Sequence, residues 1–342
     1  MSAIPKPISF AERFTGFDML KIDMANTYGL DKELFETRIQ WVNQNQTDIL
    51  NNLDEWASQA EEPLMFRKAC YAFADAVDGK PINHNMFMDA TASGLQIMAA
   101  LSGCKKTAEA VNLINNGQRN DAYTAVSDAL IAKAGENPMF TRSYIKKPIM
   151  THYYNSKAKP KELLGEDTME LNMFYEILME KFTGAEAVMQ VINNAWDPFA
   201  YFHQWTLPDG HVAKVNVVDQ VDARIEVDEL NHMQFTYRFY PNQPSDRKTS
   251  LAPNIIHSID GYVAREIIRR ADFEVAHIHD AFTCHPNHMP KVMDFYRDIL
   301  AEIAESNLLS DIISEITGTD VQLKKFSYDL AEDIRKSEYM LS

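Results

Sequence analysis

Apolar residues along this chain recur at two periods. Phe35, Ile39, Val42, Ile49, Leu53 and Trp56 are spaced by three, four or seven positions. That spacing covers one face of a helix, with Asp31 as its candidate N-cap. Helical patterning returns through the Ala-rich stretch 95–130, through 165–193, and in Val292, Phe295, Ile299 and Ile303. Elsewhere the period falls to two. Val215, Val217, Ile225, Val227, Phe235 and Tyr237 predict a β-ribbon between Val212 and Tyr240. Phe273, Val275, His277 and His279 alternate ahead of a turn at Asp280, and Met86-Phe87-Met88 reads as a short strand ending at Asp89. The Pro-Asn pair within Ala252–Gly261 predicts a loop capping a helix that begins near Tyr262. The first fifteen or so residues, which contain prolines, read as irregular. The pattern is α/β (α+β) and mainly helical, with no repeat, low-complexity tract or Gly/Ser linker to divide it.

Composition changes this picture in two ways. Three distant cysteines, Cys70, Cys104 and Cys284, exclude a disulfide framework and suit a reducing compartment. No apolar run approaches the ~18 residues of a membrane span, and the N-terminus lacks the signal-peptide pattern. Charge is the second point. With 33 Lys+Arg against 49 Asp+Glu, the net charge is −16. Such a surface repels polyanions, so a nucleic-acid enzyme needs a local cationic patch or a partner that brings positive charge.

Three constellations carry candidate chemistry. Arg142, Lys146, Met150 and Tyr154 are each four apart and form one stripe on a helix. About 18 Å of helix could run beside a nucleoside triphosphate, cations on its phosphates and Met150 and Tyr154 on base and sugar. Asp89 and Asp280 each end a strand-like run, as carboxylates converging on a pair of Mg2+ ions must. His277, His279, Cys284, His285 and His288 compete with this reading, because imidazole and thiolate suit zinc. Their spacing matches no closed zinc motif.

In order along the chain, these segments resemble the single-subunit RNA polymerases of phages and mitochondria. Asp89-Ala90-Thr91-Ala92-Ser93-Gly94-Leu95-Gln96 resembles the family's first palm motif, Arg142 to Ser156 its fingers helix, and His279-Asp280-Ala281-Phe282 its second palm aspartate hairpin. Leu20-Lys21-Ile22, Ala25-Asn26, Gly29-Leu30-Asp31-Lys32, Ala110-Val111-Asn112-Leu113, Asp121-Ala122-Tyr123, Pro208-Asp209-Gly210 and Ala252 to Gly261 extend the likeness from about residue 18 to the end.

The resemblance implies a right-hand polymerase: a tail at 1–17, palm at 18–117 and 257–342, and fingers at 118–256 including the ribbon 213–240. It implies that Asp89, Asp280 and the carbonyl of Ala90 hold two Mg2+ ions. Lys146, also catalytic, and Arg142 would hold the triphosphate with Lys21. Tyr123 would line the nucleotide site, and Tyr154 and His257 would sense the ribose 2′-hydroxyl. Four residues depart from the pattern. Pro148 should kink the fingers helix or delay its start, Asn155 stands where a glycine usually follows the tyrosine, and His152 and Tyr153 are bulky.

The family's thumb, N-terminal domain and Asp-x-Arg-Gly-Arg motif have no counterpart here, and the ribbon holds five acidic residues against three basic ones. The expectation is the larger, catalytic subunit of a heterodimeric phage RNA polymerase. A second subunit would supply thumb, N-terminal region and first palm strand. The DNA template would be single-stranded or pre-melted and brought by a delivery protein, with NTPs as substrates, RNA as product and no membrane partner. The expected location is the cytoplasm of an infected bacterial host. The rival readings are a DNA polymerase of the same fold, a metal-dependent hydrolase built on the histidine cluster, and a non-catalytic assembly subunit.

Overall fold

The computed structural model describes residues 9–245 and 247–342. Helices dominate, and the strands form three small sheets. Strands β1 (Met86–Asp89), β6 (Val275–Ile278) and β7 (Ala281–Cys284) make one antiparallel sheet in the order β1-β7-β6. Strands β2 (Phe202–Thr206) and β3 (Val212–Asn216) pair with each other, as do β4 (Val221–Val227) and β5 (Met233–Phe239). The ribbon expected at 212–240 is therefore two units, because Val212–Asn216 pairs backwards with Phe202–Thr206 across the Pro208-Asp209-Gly210 turn.

The main core is built on the buried helix Ser93–Ser102, against which pack the helices Thr183–Asn194, Leu251–Arg270 and Met289–Glu305. Gln96, on that helix, is fully buried and fully used. Its amide nitrogen donates to Thr91 Oγ1, Val111 O and Met340 O at 3.0–3.1 Å, and its oxygen accepts from the Tyr296 hydroxyl at 2.7 Å. A smaller cluster joins the helices Gly16–Ala25, Phe35–Asn51 and Pro63–Val77 through Leu20, Val42, Phe66 and Phe73.

Several local expectations change. Phe10–Arg13 forms a helical turn capped by Ser9 in the stretch expected to be irregular; residues 1–8 lie outside the described residues. The Phe35–Asn51 helix starts after Leu34 with no side-chain cap, so Asp31 is not its N-cap. Instead the Asp31 carbonyl accepts from Arg38 Nη2 at 2.6 Å. Leu53 and Trp56 belong to a separate helix, Leu53–Gln59. The 95–130 stretch is three helices, Ser93–Ser102, Lys105–Ala110 and Ala122–Ala134. Ala252–Gly261 is no loop but part of the Leu251–Arg270 helix, whose first turn takes Pro253 where a missing N–H costs nothing. Pro148 neither delays nor divides its helix, which runs from Arg142 to Tyr153 with Pro148 buried inside it.

Candidate active site

The acidic wall follows from strand pairing. In β1 the side chains alternate, with Met86 and Met88 buried, so Phe87 and Asp89 take the opposite, accessible face. The register of β1 and β7 sets Asp89 against Ala281, the residue after Asp280. The β6–β7 connection is the two-residue turn His279-Asp280, closed by the Ile278–Ala281 pair. His279 takes a left-handed φ of 55°, as such tight hairpins require. His277 Nδ1 donates to the His279 carbonyl at 3.0 Å, and Ala90 N–H donates to the Asp280 carbonyl at 3.2 Å. The turn that presents Asp280 is thus stitched to the end of β1. Asp89 opens towards solvent, yet the protein around it removes much of its hydration. That loss, then the like charge of Asp280, raises its pKa to about 6 against the opposing pull of Lys146.

The cationic wall is the helix Arg142–Tyr153. Arg142, Lys146 and Met150 share its pocket-facing row, and Tyr154 follows at its C-cap. Asp121 fixes the start of this wall. One of its oxygens caps the Ala122–Ala134 helix through the N–H groups of Tyr123 (2.9 Å) and Thr124 (3.2 Å). The other accepts from Arg142 Nε at 2.5 Å. Burial opposes its charge, but these hydrogen bonds prevail and hold the carboxyl below its ordinary range. The Tyr123 ring lies beneath both cations, 5.8 Å from the Arg142 guanidinium and 5.4 Å from Lys146 Nζ. Burial, then Asp121, pushes its phenol up to about 12. At the far end the Tyr154 and His257 rings meet edge-on at 4.8 Å.

Between the walls is a pocket of about 260 Å3, lined by Asp89, Ala90, Tyr123, Arg142, Lys146, Met150, Tyr154 and Asp280. Eight of the expected site residues therefore converge. Lys21 and His257 do not line it: Lys21 Nζ lies over the Phe17 ring at 4.8 Å, and His257 reaches the pocket only through Tyr154. The sequence reading missed the roles here of Asp31, Arg119 and Ser342, which also line it. Ser342 Oγ accepts from the buried Arg38 (2.6 Å) and from Arg119 (3.1 Å). No periodicity marks these residues, although Asp121 was findable as an acid immediately before a helical pattern.

The departures resolve locally. His152 turns away to Glu186, 2.7 Å distant, and Tyr153 is buried beneath the pocket. Asn155 has a φ of 60°, the left-handed conformation for which a glycine would serve, and asparagine tolerates it better than most residues. The zinc reading fails on geometry. Among the described residues, the one group of three or more His, Cys, Asp or Glu ligand atoms lying within 4.8 Å of one another is Glu226, Asp228 and His232, all exposed on the β4–β5 ribbon. Cys284 is buried, and the His285 and His288 rings stand 6.1 Å apart.

A larger concavity lies elsewhere. It is an open trough of about 870 Å3 between the two ribbons. There Asp222 pairs with Arg238 at 2.6 Å and Lys214 lies over Phe202 at 3.7 Å, so its charges are largely answered within the chain. In the smaller pocket, acids and cations face each other across open space, and we place the site there.

Comparison with known proteins gives the chain a family. The family model for DNA-dependent RNA polymerase matches residues 13–206 and 204–338. The chain is 23% identical to the mitochondrial DNA-directed RNA polymerase of Schizosaccharomyces pombe over 88% of its own length and 31% of the relative's. It is 23% identical to a chloroplastic/mitochondrial DNA-directed RNA polymerase of Nicotiana tabacum, over 87% and 35% of the two chains. To a probable DNA-directed RNA polymerase of Gelasinospora it is 25% identical, over 85% and 42%. The chain thus spans 31–42% of the length of these relatives. The expected location in the cytoplasm of an infected bacterium is overturned, since relatives such as those of S. pombe and tobacco are polymerases of mitochondria and chloroplasts. No helix among the described residues is long and apolar enough to cross a membrane.

Proposed function

The chain belongs to the DNA-dependent RNA polymerase family, and from that premise we propose that it carries the nucleotidyl-transfer centre of a DNA-directed RNA polymerase. The observation that carries this is the facing of Asp89, at the end of β1, and Asp280, in the turn that leads into the neighbouring β7, towards Lys146 and Arg142 across one pocket. Substrate would be a ribonucleoside triphosphate selected by a DNA template, and the product RNA.

The donor set fits Mg2+. Two carboxylates and the Ala90 carbonyl are hard oxygen ligands, and the burial and the like charge of Asp280 that raise the Asp89 pKa, in that order, are costs a bound cation would relieve. Two Mg2+ ions held by Asp89, Asp280 and Ala90 would supply Lewis-acid activation of the attacking hydroxyl and neutralise phosphate charge. The chain's own groups do the rest. Arg142, its Nε committed to Asp121, keeps its two Nη groups for phosphate oxygens. Lys146 sets a positive charge where the leaving pyrophosphate develops its own. The Tyr123 ring holds both cations in place. Tyr154, backed by His257, presents a phenol edge to the ribose. Lys21 would join only after moving off Phe17.

On this reading residues 18–117 and 257–342 act as palm and 118–256 as fingers. A second chain completing the hand belongs to the same proposal. What supports it is the free edge of β6, with Ala276, His277 and Ile278 exposed, where a further strand could add. The acidic β4–β5 ribbon supports a template that reaches the pocket already single-stranded.

The test is Mg2+-dependent extension of an RNA primer on a DNA template, with rNTPs and dNTPs compared. Extension by rNTPs that is lost in Asp280→Asn is expected. Extension unaffected by Asp280→Asn would remove the proposal, and a preference for dNTPs would turn it to a DNA polymerase.

A further inference from the structure

Arg119 is the cation in the pocket wall to which neither the sequence motifs nor the proposed reaction assigns a role. It lies in the loop between the helices Lys105–Ala110 and Ala122–Ala134, and the chain is clamped immediately after it. The buried side-chain amide of Asn112 spans the backbone of Asn120. Its oxygen accepts from the Asn120 N–H at 2.7 Å, and its nitrogen donates to the Asn120 carbonyl at 2.9 Å. The same nitrogen donates to Thr91 Oγ1 at 3.1 Å, just beyond Asp89 in the chain. The next residue, Asp121, caps the following helix and binds Arg142. An arginine on a loop ordinarily keeps much rotamer freedom. This loop is tied to both the acidic and the cationic wall.

The guanidinium is held as well, in company that costs energy. Its Nε donates to Ser342 Oγ at 3.1 Å, and among the described residues the Arg119 side chain makes no other hydrogen bond. That same oxygen accepts from Nη2 of the buried Arg38 at 2.6 Å, so two cations share one neutral hydroxyl. Burial first, then the charge of Arg119, lowers the pKa of Arg38. Arg38 answers its position with the Asn26 side chain and the carbonyls of Glu33 and Asp31. Arg119 has no such set. Asp31 and Asp121 act on it from beyond hydrogen-bond distance, and Arg142 acts as a like charge. A half-buried cation, fixed beside two others with both Nη groups unpartnered among the described residues, is an arrangement that an anion completes.

We propose that Arg119 is a phosphate-binding residue of this site, its Nη groups taking oxygens of the incoming nucleotide's triphosphate beside Arg142 and Lys146. It fills the part that the family resemblance offered to Lys21, which lies over Phe17 outside the pocket lining. The identity of the anion as a nucleotide rests on the polymerase reading, whereas the binding of a polyphosphate does not.

The experiment compares the full chain with its Arg119→Ala, Arg119→Gln and Arg119→Lys variants. Calorimetry reads the binding of inorganic tripolyphosphate with Mg2+, thermal melts are run with and without that anion, and single-nucleotide extension gives kcat, the KM for rNTP and the affinity for primer–template. We expect tripolyphosphate affinity to fall about tenfold in the alanine and glutamine variants and about threefold in the lysine one, which keeps the charge but not the fork. The KM for rNTP should rise in parallel, with kcat and primer–template affinity within about twofold of the wild type. Tripolyphosphate should raise the melting temperature of the wild type more than that of the alanine variant. Should Arg119→Ala fold poorly, Arg119→Gln, which can still donate to Ser342, carries the test. A wild type that binds no tripolyphosphate, or alanine and glutamine variants that bind it as tightly as the wild type, would overturn the inference. So would a loss of primer–template affinity at unchanged KM, which would move Arg119 to the nucleic-acid backbone. If tripolyphosphate binding depends on Arg119 but no protein extends a primer, the polymerase reading fails and the phosphate site stands.

Discussion

The backbone N–H of Ser342 donates to the carbonyl of Asp89 at 2.9 Å. Thr91 N–H in turn donates to Met340 O at 3.0 Å, and Ala90 and Leu341 form an isolated antiparallel bridge. Residues 340–342 therefore act as a short additional strand beside the end of β1, on the side away from β7. Asp89 is held between two backbones, with Asp280 on one flank and the 340–342 segment on the other.

That relationship makes Ser342→Pro informative, since it removes the N–H and leaves a residue of similar size. Losing one backbone bond beside Asp89 should lower kcat about tenfold, the equivalent of roughly 1.4 kcal/mol. Ser342→Ala keeps the N–H and loses the hydroxyl contacts with Arg38, Arg119 and the Asp31 carbonyl, so it should cost less. Steady-state extension rates, with circular dichroism to confirm folding, check both. Equal losses in the two variants would move the effect from the backbone bond to the hydroxyl.

On the proposed reading Arg142 would do two jobs with one side chain. Its Nε is bound to Asp121, and its Nη groups would take the phosphate. Lysine has a single head and cannot do both. Arg142→Lys should therefore raise the KM for NTP about tenfold while kcat stays within about threefold. A fall in kcat at unchanged KM would place Arg142 in the chemical step.

Asn155 tests the departure from the family pattern directly. Its left-handed φ of 60° is one that a β-branched residue adopts only under strain, so Asn155→Val should destabilise the fold by about 1–2 kcal/mol. Asn155→Gly should fall within about 1 kcal/mol of the wild type, because relief of the backbone offsets loss of the amide pair with Asn193 (2.8 Å). Urea unfolding of the two variants measures this, and a valine variant as stable as the glycine one would contradict it.

The acids and cations of the site were legible in the sequence because each marks a periodic element. Asp89 ends an apolar run, Asp280 sits in a turn between alternating residues, and Arg142, Lys146 and Met150 repeat every fourth position. What the sequence did not disclose depends on contacts between distant segments. Ser342 meets Arg38 and Asp89 only after the chain has closed, and Arg119 lies in a loop with no period to mark it. Proline was misread at Pro253, and the delayed helix start expected from Pro148 does not occur. At Pro253 a first helical turn tolerates the missing N–H, and at Pro148 tertiary packing overrides the local penalty. The ribbon was misread because alternation sets strand type without naming the partner, so β3 was joined to β4 and β5 when it pairs with β2.

Stability against pH and metal gives a test that does not depend on catalysis. The Asp89 carboxyl is raised from 3.8 to about 6 in the fold, by burial first and then by Asp280. Between those two values the folded chain binds more protons than the unfolded one, so this group lowers stability as pH rises through that window. Above about 6 the cost is fully present, and below 3.8 it is absent. Without metal, Asp89→Asn should therefore melt at a higher temperature than the wild type at pH 7.5, with the difference closing as the pH is lowered towards 4. Mg2+ reverses the comparison. A cation bound only by the folded wild type stabilises it by mass action, and the asparagine variant, lacking one charged ligand, should gain much less. Thermal melts of both proteins at several pH values, with EDTA or Mg2+, settle the matter. Equal melting temperatures at pH 7.5 without metal would show that Asp89 is not crowded, and equal Mg2+ shifts would show that it does not hold the cation.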